Sequence, residues 1–152
     1  MDKIKRIAMV AHDGRKKDMV DWVGYNEESL KKHILFASGT TGGLLMSTFP
    51  SLDITALKSG PLGGDQQVGA LIAEGRLDML IFLMDPMSPH PHDVDIKALL
   101  RLAVLYNIPA AYNRTTADFI ISSPLFDRVY KPVQKDYSGY LKRKVDGEDE
   151  KE

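Results

Sequence analysis

The chain contains no cysteine, which removes disulfides, thiolate metal ligands and thiol nucleophiles together. It also lacks an excess of positive charge. Twenty Lys and Arg stand against 21 Asp and Glu, for a net charge of −1, so a nucleic-acid backbone is not the expected partner. No apolar run reaches the roughly 18 residues of a membrane span. The basic start, Met1 to Arg6, is followed by an apolar run, Ile7 to Ala11, too short for a signal-peptide core. No Gly-Lys-Ser/Thr ending marks a Walker loop, and no full dinucleotide fingerprint is present, so triphosphate chemistry and NAD are both unsupported. There is no internal repeat and no linker. What remains is a chain of 152 residues, 43% hydrophobic and 27% charged, expected to be soluble, cytoplasmic and built on one core.

Short continuous apolar runs predict buried strands at Ile7–Ala11, His33–Ala37, Ile54–Leu57, Met79–Leu83 and Ile108–Ala111. Helical spacing fills the intervals. Met19, Val20 and Val23 predict a helix from about Lys16 to Tyr25, and Leu44, Leu45 and Thr48 a short one. Val68, Leu71 and Ile72 predict a third, Ile96 to Val104 a fourth, and Ala117–Ser122 a last clear helix. Apolar runs without alternation indicate a sheet covered on both faces. The expected fold is therefore a single α/β domain, a doubly wound parallel sheet of about five strands in a Rossmann-like three-layer sandwich. The expected domain is 1–132. Residues 133–152 form a charged extension, expected to be solvated or frayed.

In such a sheet, ligands sit beyond the carboxyl ends of the strands. Four polar clusters fall there. The most informative is Ser59-Gly60-Pro61-Leu62-Gly63-Gly64-Asp65-Gln66-Gln67. Its glycines let backbone N–H groups approach an anion, and the helix that follows adds positive partial charge. A carboxylate beside an anion site is electrostatically unwelcome, so Asp65 reads as a base, with helix N-cap as the alternative. Ser38-Gly39-Thr40-Thr41-Gly42 offers small hydroxyls at a helix start, as a phosphate cradle or as a cap and turn. His12 and Asp13 lie near Lys16, which could neutralise a phosphate or be an ordinary exposed lysine. Asp13 reads equally as a cap and as catalytic support. The segment from Asp85 to Asp95 holds His90, His92 and Asp93 in spacing that matches no dependable metal pattern. A histidine oriented by an aspartate and donating to a carbonyl oxygen is the more natural reading. Asp95 has capping as its alternative.

Together these segments resemble methylglyoxal synthase. The matching pieces are Val10-Ala11-His12-Asp13 with Lys16, Ala37 to Gly42, Ser59 to Ile72, Asp85-Pro86, Pro91-His92-Asp93 with Asp95, Lys97 to Arg101, and Thr116-Ala117-Asp118. They run from about Ile7 to Ser122. One departure is Ser38, where the family more often has threonine, and the hydroxyl is kept. The resemblance implies a lyase that converts dihydroxyacetone phosphate to methylglyoxal and inorganic phosphate, with no cofactor and typically as a homohexamer; the ligand spacing separately argues against a metal. It implies that Asp65 removes a proton from the hydroxymethyl carbon and that His92 donates to the carbonyl oxygen. Asp95 would orient or assist His92, with Asp13 and Asp85 supporting the acid–base network. Lys16, Ser38, Thr40, Thr41, Ser59 and Gly60 would hold the phosphate, with His12 also at the substrate. Inorganic phosphate would then inhibit.

Two rivals share parts of this pattern. The fold also resembles the regulatory domain of carbamoyl phosphate synthetase, a sensor that needs a cradle but no base. An isomerase of triose phosphates would form the same enediolate and keep the phosphate.

Overall fold

A computed structural model describes residues 1–89, 91–133 and 135–141. The order of elements is β1 (Arg6–Ala11), α1 (Lys16–Leu30), β2 (Ile34–Ser38), α2 (Gly39–Thr48), β3 (Ile54–Leu57), α3 (Gly64–Ala73), β4 (Met79–Leu83), α4 (Asp93–Leu105), β5 (Ala110–Ala111), α5 (Arg114–Ile121) and α6 (Ser138–Leu141). Single 3-10 turns at Asp13–Arg15 and Gly60–Leu62 precede α1 and α3. The five strands are parallel, in the order β3-β2-β1-β4-β5.

The apolar runs form strands because both sheet faces are covered. On β1, Ile7, Met9 and Ala11 join one buried cluster with Met19, Trp22 and Val23 of α1, Leu45 of α2 and Ala117 of α5. Ala8 and Val10 join the other, with Val68, Leu71 and Ile72 of α3 and Ile96 and Leu99 of α4. Side chains alternate between faces along a strand, so two covered faces make every position apolar. The Trp22 indole donates to Asp118 Oδ1 at 2.9 Å, which satisfies a buried N–H and ties α1 to α5.

The chain leaves β1 to build β2 and β3 on one side, then crosses to β4 and β5 on the other. The crevice between the carboxyl ends of β1 and β4 is thus the topological switch point, where such sheets bind ligands. His12 follows β1 directly, and its backbone N–H donates to Leu83 O at the end of β4, at 3.2 Å.

Several boundaries differ from the sequence expectation; β1 starts at Arg6, β2 is Ile34–Ser38 and α5 is Arg114–Ile121, and three other differences have a plain physical cause. Helix α1 runs on to Leu30, because the polar stretch after Tyr25 is its solvent surface and Leu30 returns to the core fully buried. Helix α2 starts at Gly39, so Thr40 to Gly43 form its first turns rather than a loop. Strand β5 starts at Ala110, because Pro109 has no N–H to offer the ladder and contributes only its carbonyl, accepting from Leu80 N at 3.0 Å. Among the described residues no helix is long and apolar enough to cross a membrane. The charged stretch 142–152 lies outside the described residues, as does His90.

Candidate active site

A cavity of about 590 Å³ occupies the switch point. It collects His12, Asp13 and Lys16 from the β1–α1 connection, Ser38, Thr40 and Thr41 from the start of α2, and Ser59, Gly60 and Asp65 from the start of α3. Asp85 and His92 close it from the β4–α4 connection. Helices α1, α2 and α3 all begin at its wall, so their orphan N–H groups and positive dipole ends favour an anion there.

Glycines make the wall possible. At Gly39 φ is +36°, and a Cβ would lie 2.4 Å from Ser59 Cα, so the starts of α2 and α3 meet backbone to backbone. Gly60 carries the same restriction toward the His92 ring and the Asp65 carboxylate. A Cβ there would fall 2.6 Å from His92 Cε1 and 3.1 Å from Asp65 Oδ2.

Asp65 sits in the first turn of α3 with its side chain 2% exposed. The capping alternative does not hold, because the N-cap is Gly63 and no side-chain cap bond forms. Its Oδ2 lies 2.7 Å from His92 Nδ1 instead. The carboxylate at hydrogen-bond distance from the His92 ring is therefore Asp65, where the sequence reading gave that orienting role to Asp95. Asp95 lies in the first turn of α4, its backbone N–H donating to His92 O at 2.9 Å. It borders a second groove between α3 and α4, beside Gln66, Gly69 and Ala98, and one wall of that groove is again Asp65.

His12 is buried, packed edge-on against Phe82 at 5.0 Å between ring centroids. Its Nδ1 accepts the backbone N–H of Asp85 at 2.9 Å. The Asp85 carboxylate accepts from the Ser88 hydroxyl at 2.8 Å and from Met87 N at 3.2 Å. Those two donors, the hydroxyl first, hold it below the usual carboxylate range. Asp85 thus organises its own turn and aims a peptide N–H at His12.

The residues expected to hold phosphate line this one cavity. Ser38 is buried at the N-cap of α2, yet its hydroxyl makes no cap bond. The Thr41 hydroxyl is buried and reaches Ala11 O at 3.4 Å. Lys16 Nζ lies 2.5 Å from Asp13 Oδ1, with Lys16 mostly covered and Asp13 94% exposed. The N-cap position of α1 is Arg15, so Asp13 does not occupy it.

The comparisons with known proteins agree with this geometry. Residues 18–112 match the model of the MGS-like domain. The chain is 68% identical over 139 residues to the methylglyoxal synthase of Oleidesulfovibrio alaskensis, covering 91% of this chain and 95% of that one. The chain belongs to the methylglyoxal synthase family. It is also 57% identical over 141 residues to the methylglyoxal synthase of Erwinia tasmaniensis, covering 93% and 92% of the two chains. The crystal structure of methylglyoxal synthase from Elizabethkingia anophelis superposes with a TM-score of 0.90 at 47% identity, covering 95% of each chain.

Some contributors to this family site escaped the sequence reading. Phe82 reads as ordinary core in a buried strand, yet it borders the cavity and seats His12. Gln67 was part of the recognised segment without a role. Its Oε1 accepts Lys58 N at 2.7 Å, fixing the end of β3 behind Ser59. Gly14 lies under Asp85, where a Cβ would meet Asp85 Oδ2 at 2.8 Å. No spacing rule announces such contacts, because His12–Phe82 and Gly14–Asp85 join segments far apart in the chain and Gln67 reaches back to Lys58 across a loop.

Proposed function

We propose that this chain converts dihydroxyacetone phosphate to methylglyoxal and inorganic phosphate, with Asp65 as the base. The observation that carries the reading is a single one. A nearly fully buried carboxylate stands 2.7 Å from a histidine, inside a cavity walled by three helix starts and small hydroxyls. A sensor of anions has no use for that carboxylate, and an anion site tolerates it only where it has a task.

The proton to be removed lies α to a ketone, so a carboxylate takes it only if the resulting oxyanion is stabilised. His12 and His92 both border the cavity as candidates for that contact. Lys16, Ser38, Thr40, Thr41, Ser59 and Gly60 hold the phosphate in this reading. Expulsion of phosphate requires its C–O bond to stand roughly perpendicular to the enediolate plane, so that the π electrons can flow into it. A triose isomerase has to avoid that alignment and this enzyme has to enforce it. A rigid cradle fixes the torsion, which is catalysis by positioning. Donors aimed at the departing phosphate stabilise its growing charge.

Three further parts of the proposal follow the same logic. Free phosphate fits the cradle and inhibits, residues 1–132 form the catalytic domain, and the working assembly is a homohexamer in the cytoplasm. The test is to incubate purified, chelator-dialysed protein with dihydroxyacetone phosphate and assay methylglyoxal and phosphate together. Equal amounts of both, above spontaneous elimination, are expected. Glyceraldehyde 3-phosphate would replace this reading with isomerase chemistry, and ligand binding without product would replace it with a regulatory module.

A further inference from the structure

The enediolate of the proposed reaction has two fates. In one, the C–O bond to phosphate breaks, phosphate leaves with the bonding pair, and the enol left behind becomes methylglyoxal. The two protons released, one from carbon and one from the hydroxyl, end on the methylene carbon and on phosphate. In the other fate a proton returns to carbon, and dihydroxyacetone phosphate or glyceraldehyde 3-phosphate is released. Both balance without an oxidant, reductant or co-reactant. The choice between them turns on whether the C–O bond stands perpendicular to the enediolate plane, hence on where the phosphate is held relative to the base. Something in the chain must therefore set the phosphate wall against α3, the helix that carries Asp65.

One residue joins the two helix starts. Lys58 follows β3 directly and precedes Ser59 and Gly60, which line the cavity. Its C=O accepts the N–H of Gly39, the first residue of α2, at 3.1 Å. Its own N–H donates to Gln67 Oε1 at 2.7 Å, and Gln67 lies on α3 with Asp65. The peptide planes on either side of Lys58 are thus each held, one by α3 and one onto α2. Packing adds to this tie, since a Cβ on Gly64 would lie 2.1 Å from Lys58 O. Packing, however, sets only a closest approach, whereas a hydrogen bond also sets an angle. Lys58 and Gln67 are both exposed, so water can replace their bond at little cost in stability. What the bond controls is alignment.

We propose that Gln67 is a positioning residue that sets the phosphate wall, built from the start of α2 and from Ser59 and Gly60, against the Asp65 carboxylate. It thereby biases the enediolate toward expulsion of phosphate. The inference rests on the lyase reading above. Gln67 is not among the residues that line the cavity, so it acts through Lys58 and not on the substrate. The choice of an amide follows from the surroundings. A carboxylate would accept the same N–H, but it would add a negative charge to a helix start that has to hold phosphate. Glutamine supplies the acceptor without the charge.

The test compares two variants of the full chain. Gln67→Met keeps the length of the side chain and removes the acceptor. Gln67→Glu keeps the acceptor and adds the charge. Each is incubated with dihydroxyacetone phosphate in deuterated water beside the wild type. Return of the enediolate is read as deuterium in recovered substrate together with glyceraldehyde 3-phosphate, and elimination as methylglyoxal. For Gln67→Met we expect the ratio of return to elimination to rise on the order of 10-fold, with KM raised and the melting temperature close to wild type. Gln67→Glu should bring the ratio back toward wild type, even where its charge raises KM. A merely structural role would slow both fates together and leave the ratio alone. An unchanged ratio in Gln67→Met, or the same raised ratio in Gln67→Glu, would overturn the proposal. Absence of methylglyoxal from the wild-type protein would instead remove the lyase reading, which keeps the two failures distinct.

Discussion

Replacing Gly60 with alanine is the sharpest perturbation the geometry offers. The added Cβ would sit 2.6 Å from His92 Cε1 and 3.1 Å from both His92 Nδ1 and Asp65 Oδ2. Carbon atoms rest at about 3.5–4.0 Å, so the imidazole has to withdraw by roughly 1 Å. The Nδ1–Oδ2 contact is 2.7 Å, and a withdrawal of that size takes it beyond hydrogen-bond range. Misplacing a reacting group by about 1 Å costs on the order of 10²-fold, or about 2.7 kcal/mol of barrier. We therefore expect Gly60→Ala to lose about two orders of magnitude in kcat while remaining folded. Gly43→Ala is the matched control. It lies inside α2 with nothing within 4 Å of the added Cβ, and should keep kcat while gaining about 0.5–1 kcal/mol of stability. Steady-state assay of methylglyoxal with thermal unfolding of both variants decides the matter. Wild-type kcat in Gly60→Ala would show that the Asp65–His92 contact does not govern turnover.

Asp65→Asn should abolish nearly all turnover, by 10²-fold or more, while leaving phosphate-ligand affinity largely intact, and wild-type turnover would exclude Asp65 as the base. Inorganic phosphate should raise the apparent KM for dihydroxyacetone phosphate, and kinetics indifferent to millimolar-scale phosphate would count against a tight cradle. Stability should also fall in acid through His33. Its Nδ1 accepts Lys5 N at 3.1 Å, and burial pushes its folded value below the ordinary 6.5, although Asp127 pulls the other way. The folded state then binds fewer protons than the unfolded one, so this contribution is complete above 6.5 and is lost as pH falls through the depressed value. Melting temperature followed across that window should drop in the wild type and flatten in His33→Asn; an unchanged slope would remove His33 as the cause.

The sheet was legible because burial on both faces leaves no polar position to confuse the pattern. Met79–Leu83 and Ile54–Leu57 appear with the bounds that their apolar runs give. The boundaries that slipped are those where tertiary context overrides local preference. Gly39 to Gly43 would break a helix in isolation, yet here the close approach of Ser59 demands glycine and the helix starts through it. The short helix Ser138–Leu141 carries no apolar period long enough to announce itself. The site divides in the same way. Its membership was readable, since loops after parallel strands converge on one edge whatever their separation in sequence. Its pairings were not, because a carboxylate's partner depends on where side chains meet. Asp95 stands three residues from His92 and looked like its natural partner, whereas Asp65, 27 residues earlier, holds the 2.7 Å contact. That exchange alters the chemistry. A histidine oriented by a distant, unreactive carboxylate would be a fixed donor throughout. In the proposed reaction, a histidine bonded to the base itself loses or keeps its Nδ1 partner as that carboxylate takes up and releases the substrate's proton. If Asp65 is the base proposed above, the state of His92 is coupled to the proton that Asp65 carries, while the partner that holds His12 Nδ1 is a peptide N–H that never titrates.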